Sequence, residues 1–142
     1  MYKKVFIDAN VFIDKYDIKR DINMFAKDIF QYLVGINSEL YTSCDLITTI
    51  YYIISKIDKN LALDVVENIN TICEIIEFSN KDISTTCALM KENSAFKDFE
   101  DSLQYVLAKK VGCDLILSND KNFFSPEIEL LSTKELAKKL KL

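Results

Sequence analysis

Apolar residues fall into short runs that alternate with longer stretches of helical periodicity. Val5-Phe6-Ile7 is a run suited to a buried strand, and Asp8-Ala9-Asn10 then predicts a turn. Beyond Asp21, placed as a cap, Ile22, Phe25, Ala26, Ile29, Phe30, Leu33 and Ile36 recur at helical spacing, with Gly35 near the end. Residues 40–43 predict a second strand. Residues 45–55 are ambiguous, because Ile47, Ile50, Tyr51, Ile53 and Ile54 suit a strand as well as a helix, and the alternation of elements favours the helix. A helix over 61–72, a strand over 74–78 and a helix from the Ser79/Asp82 capping pattern to about Glu92 follow. Leu103, Val106, Leu107 and Val111 mark a further helix, closed by Lys109, Lys110 and Gly112, which suit its negative end. Residues 115–117 and 128–131 predict strands, and Ser132-x-x-Glu135 opens the last helix.

The order β-α-β-α-α-β-α-α-β-β-α predicts an α/β fold, a three-layer α/β/α sandwich around a mostly parallel sheet. The 142 residues, 49% of them hydrophobic, suit a single domain over 1–142 with a core of its own. No stretch approaches a membrane span, and the apolar run after Lys3-Lys4 ends at Asp8, too early for a signal peptide. Cys44, Cys73, Cys87 and Cys113 form no C-x-x-C pair and read as reduced, buried small hydrophobes. A cytoplasmic protein without membrane contact is expected.

The chain has no histidine, which excludes any chemistry requiring an imidazole base. Net charge is −4, so a global basic field for nucleic acid is lacking, unless several acids are gathered at one cation that reverses the local field. Such a gathering is suggested by aspartates at the ends of apolar runs. Asp8 and Asp120 each fall just past a predicted strand, where open α/β sheets bind ligands. Asp98 and Asp101 lie three apart at a helix start and share a face, with Tyr105 a turn later. Four packed carboxylates raise one another's pKa and call for a hard, oxygen-liganded ion such as Mg²⁺ or Mn²⁺, a combination able to hydrolyse phosphodiesters without histidine. Each acid also has a plainer reading: Asp8 and Asp120 as turn residues, Asp98 or Glu100 as a helix cap.

At these positions the chain resembles the PIN domain family, metal-dependent ribonucleases that include VapC-type toxins of toxin–antitoxin pairs. Phe6-Ile7-Asp8-Ala9-Asn10-Val11 is similar to its opening motif, residues 98–105 (Asp-Phe-Glu-Asp-Ser-Leu-Gln-Tyr) to its central one, and residues 115–123 (Leu-Ile-Leu-Ser-Asn-Asp-Lys-Asn-Phe) to its closing one. The resemblance implies a PIN-like sheet, metal ligation by Asp8, Asp101 and Asp120 with Asp98 as an added acid, and orientation of the site by Asn10 and Ser118. It further implies endonucleolytic RNA cleavage by a metal-bound water, leaving a 3′-hydroxyl and a 5′-phosphate, in a homodimer restrained by a small antitoxin.

Two positions depart from the family pattern. Thr49 stands where the family carries its second acid, and Asp45, one turn earlier, compensates only if it points the same way. Asn122 stands where many members have an acid. The rival expectation is therefore a degenerate PIN-like module that binds RNA or protein without cleavage. A phosphoacceptor domain of flavodoxin type fits less well, since Asp8-Ala9-Asn10 lacks the paired acids it needs. Lys15, Lys19 and Arg20 read as a solvated surface ahead of a phosphate contact, and at least one of Tyr51 and Tyr52 as core. Lys134, Lys138, Lys139 and Lys141 read as the exposed face of the last helix.

Overall fold

A computed structural model of the chain describes residues 1–16 and 23–142; the expected cap at Asp21, Ile22, and the basic residues Lys19 and Arg20 lie outside them, as does the side chain of Phe25. Among the described residues, β1 (Lys4–Ile7), β2 (Glu39–Ser43), β3 (Cys73–Ile76), β4 (Leu115–Leu117) and β5 (Glu129–Leu131) form one sheet of order β3-β2-β1-β4-β5. All four strand pairings are parallel. Val5, Phe6, Ile7, Leu115, Ile116 and Leu117 are fully buried, which is why the central strands read as unbroken apolar runs.

The chain moves outward from β1 to β2 to β3 through α1 (Ala9–Tyr16), α2 (Asn23–Gly35), α3 (Cys44–Ser55) and α4 (Lys59–Ile72), then recrosses to β4 through α5 (Asn80–Glu92) and α6 (Phe99–Lys110). Right-handed crossovers running in opposite directions cover opposite faces of a sheet. The helix contacts divide accordingly: α1 packs on α2 and α3, α2 on the final helix α7 (Thr133–Leu140), and α3 on α4, whereas α5 packs on α6. The result is the expected three-layer arrangement. The reversal of direction places a crevice between β1 and β4 at the carboxyl edge.

Local chemistry accounts for the helix starts. Asp58 caps α4 by accepting from the amides of Asn60 and Leu61, capping boxes open α5 at Ser79/Asp82 and α7 at Ser132/Glu135, and Asp98 caps α6. The ambiguous stretch is helical because Leu46, Ile50 and Ile54, four apart, form its buried stripe. Tyr51 packs against the core beside it, and Tyr52 is exposed with the Lys56 ammonium 4.3 Å from its ring centroid.

Three expectations need correction. The turn at 8–10 is instead the start of α1, whose eight residues bury Ala9, Val11, Phe12, Ile13 and Asp14 together, so no amphipathic stripe announces a helix. Cys73 and Cys113 are buried, and burial pushes both thiols up to about 12, but Cys44 and Cys87 are exposed on helices. Tyr105 does not join the acids: it is buried against Phe96, ring centroids 5.4 Å apart, while the acids occupy the sheet edge. Lys134, Lys138, Lys139 and Lys141 are exposed as expected, and Lys139 pairs with Glu129 at 3.0 Å. No helix among the described residues is long and apolar enough to cross a membrane.

Candidate active site

Asp8 leaves the end of β1 directly into α1, and the peptide geometry there fastens it in place. Its amide donates to Leu117 O at 3.0 Å, which holds it level with the end of β4. One carboxylate oxygen accepts from Ala9 N at 2.8 Å; the other accepts from Ser118 Oγ at 2.7 Å and from Asn10 Nδ2 at 3.3 Å. The side chain is buried, and this desolvation raises its pKa more than these hydrogen bonds lower it, with the Asp120 charge adding to the rise.

Ser118 and Asn10 both donate to Asp8 and both hold the loop after β4. Ser118 Oγ also accepts from Asp120 N at 3.1 Å, so one hydroxyl ties the two strand-end acids together. Asn10 Oδ1 accepts from Asn119 N at 3.0 Å, pinning the loop after β4. Asp120 serves as a turn residue, its Oδ1 accepting from Asn122 N at 2.9 Å, as the plainer reading has it.

The opening of α6 brings the third segment to this edge. Asp98 accepts from Asp101 N at 2.9 Å as the helix cap. Asp101 is half-buried, and its carboxyl is pushed up to about 8 by burial first, then by a hydrogen bond to Asp120 and by the charges of Asp8, Asp120 and Asp98. The structure thus brings Asp8, Asp101 and Asp120 together, with Asp98 adjacent. Glu100 joins them: burial raises its pKa, as do the charges of Asp45, Asp8 and Asp98. Thr49 lies half-buried on α3, four residues and thus one turn after Asp45.

Other residues were missed in the sequence reading. Asn119 donates through Nδ2 to the fully buried Asp14 at 2.6 Å, and its Oδ1 accepts from both Thr133 N and Thr133 Oγ1, locking the β4 loop to α1 and α7. An aspartate inside the apolar run Val11-Phe12-Ile13-Asp14 was the available signal, since a buried carboxylate requires partners. Gln104, fully buried on α6, was visible only as part of the central motif. Lys15 sits on α1 with its ammonium 4.6 Å from the Phe30 ring centroid, over an aromatic face.

Among the described residues no group of three Asp, Glu or Cys side chains is already drawn together as a ligand cage. What the residues share is one edge of hard oxygens where burial, and after it the neighbouring acids, push the Asp101 carboxyl up to about 8, and that donor set fits a hard divalent cation. Beside Asp120 a cavity of about 500 Å³ opens between Ser118, Lys121, Ser132 and Lys134.

Comparison with known proteins gives the same picture at the level of the whole chain. The PIN domain model matches residues 4–122. Ribonuclease VapC1 of Aquifex aeolicus is 47% identical over 137 residues, covering 96% of this chain and 95% of that protein. The DNA-bound VapBC structure from Salmonella typhimurium superposes with a TM-score of 0.70 at 16% identity, covering 92% of this chain and 98% of that one. The Mycobacterium tuberculosis toxin VapC20, which cleaves the sarcin-ricin loop, gives a TM-score of 0.66 at 13% identity, covering 84% of this chain and 92% of that one. At those identities the two structures speak for the fold alone, but the family match and the 47% relative reach further: the chain belongs to the PIN domain family.

Proposed function

We propose that this protein is an endoribonuclease dependent on Mg²⁺ or Mn²⁺, acting as a VapC-like toxin held in check by a small antitoxin. The observation that carries the reading is the convergence of Asp8, Asp101 and Asp120 on the β1–β4 crevice, where burial and then the neighbouring acids push Asp101 up to about 8. The 47% identity to a protein named a ribonuclease supports the activity, and weighs against a degenerate module that binds without cleaving. The likeness to VapBC assemblies supports an antitoxin partner, and the family resemblance a homodimer.

Asp8, Asp101 and Asp120, with Asp98 beside them, would hold the ion. When bound, a divalent ion acidifies water and neutralises charge on the phosphoryl oxygens, which supplies the hydrolytic chemistry that a chain without histidine cannot provide otherwise. Asp8 is fixed by its hydrogen bonds before any ligand arrives, so its oxygens cost little reorganisation. Asp101 would hold the ion as the carboxylate, the form that a neighbouring cation favours. Lys121 and Lys134, flanking the cavity next to Asp120, are placed to take backbone phosphates of an RNA strand.

The test is cleavage of a mixed cellular RNA pool by the purified protein with Mn²⁺, with Mg²⁺ and with chelator, each beside Asp8→Asn. Metal-dependent cleavage, absent in the variant, is expected, with 5′-phosphate ends on the products. No cleavage with either metal would leave the non-hydrolysing module as the better reading.

A further inference from the structure

We propose that Asp45 supplies the carboxylate that Thr49 lacks, and that Gln104 is the positioning residue that fastens Asp45 to the acidic edge. This rests on the metal-dependent reading above and deepens it.

Asp45 reaches the edge by the same logic as the other strand-end acids. The parallel register pairs Phe6 with Tyr41, so Asp8 emerges next to Ser43, and the Thr42 hydroxyl donates to Ile7 O at 2.9 Å across that step. Asp45 follows two residues later in the first turn of α3, on the same face as Thr49. A carboxylate there also suits the helix dipole, which would explain an exposed acid with no partner on another element. Asp45 is different. Gln104 Nε2 reaches it from α6, 3.0 Å from one carboxylate oxygen and 3.2 Å from the other, and Ser43 donates a short hydrogen bond to it.

Gln104 adds an independent observation. It is fully buried, yet its amide oxygen has no hydrogen-bond partner among the described residues. An apolar side chain would fill the same volume without leaving an acceptor unsatisfied, so the amide is explained by what its nitrogen holds. Gln104 also lies three residues after Asp101 and four after Glu100, one turn along α6, and Glu100 senses the charges of both Asp45 and Asp8.

The experiment is calorimetric titration of Mn²⁺ into the wild type, Asp8→Asn, Asp45→Asn, Gln104→Leu and the double variant Asp45→Asn/Thr49→Glu, with circular dichroism to check each fold. Asp45→Asn should weaken Mn²⁺ binding by about a hundredfold and Gln104→Leu by about tenfold, the range found when groups around a metal ligand are lost. The double variant should recover most of the loss, because Thr49→Glu restores an acid on the same helix face. Gln104→Leu fills a buried site with an apolar group of similar size, so it reports on positioning even where Asp45→Asn melts. Affinity unchanged in Asp45→Asn, while Asp8→Asn abolishes binding, overturns this inference alone; no Mn²⁺ binding by the wild type overturns it together with the reading it rests on.

Discussion

The two sides of the acidic pocket are built in opposite ways. On the β1–β4 side, Asp8 is buried and holds three hydrogen bonds from Ala9, Asn10 and Ser118, while Asn119 ties the loop behind it to Asp14 and Thr133. On the α6 side, Asp101 and Glu100 face other acids, whose charges add to burial in raising both carboxyls. One side is preorganised by the fold; the other gathers acids whose charges a cation would neutralise. A rigid anchor opposite a repelling partner makes a site whose occupancy depends on charge more than on shape.

The sharpest way to break this contrast is to remove the anchor's charge. Asp8→Asn keeps the size and one of the two acceptor oxygens while removing the charge, so RNA cleavage with Mn²⁺ is expected to fall by at least about 100-fold, above the usual loss for a group that only supports a ligand, with the circular dichroism spectrum unchanged. Activity within a few-fold of wild type would remove Asp8 from the site.

Removing the anchor's support comes next. Ser118→Ala deletes the donor to Asp8 and the acceptor for the Asp120 amide. Cleavage should drop by about 10-fold to 100-fold, and stability by about 1–3 kcal/mol from the unsatisfied groups left behind. Urea denaturation and initial rates measure the two effects separately; a stability loss with full activity would make Ser118 purely structural.

The repelling side is read by pH. Asp101 stands at about 8 in the folded chain against its ordinary value of 3.8, so between those values the folded state holds a proton that the unfolded state has released. The metal-free protein should therefore lose stability as pH rises from about 4 to about 8, with the raised Asp8 and Glu100 acting in the same sense. Asp82 and Glu129, whose values are lowered, act oppositely only at the acid end. Mn²⁺ should flatten the slope. Urea midpoints from pH 5 to 8, with chelator and with Mn²⁺, check this, and a flat metal-free profile would mean that the acids do not burden the fold.

The smallest effect is expected at the outer brace. Thr133→Val removes the hydroxyl that donates to Asn119 Oδ1 but leaves the backbone donor in place. A loss of about 0.5–1.5 kcal/mol, with cleavage nearly unchanged, would show that the anchor tolerates a weaker brace; a large loss of cleavage would extend the preorganised side as far as α7.

Much of this was legible in the sequence because it rests on local rules. The strand runs, the capping boxes at Ser79 and Ser132, and the acids following β1 and β4 are each encoded within a few neighbouring residues. The helix α1 was not legible, since a segment buried on nearly all sides carries no periodicity. Asp98 could be assigned as ligand or cap from its position alone, and the cap is now seen in its bond to the Asp101 amide. The grip of Gln104 on Asp45 spans 59 positions, beyond the reach of any spacing rule.

The sequence alone determined the order of elements apart from α1, the parallel three-layer class and the absence of imidazole chemistry, because periodicity, capping and residue type are local properties. Only the tertiary structure decided which acids share a field. Repulsion and desolvation depend on distance through space, and the crossover from β3 to β4 is what sets Asp101 against Asp120 and turns Gln104 toward Asp45.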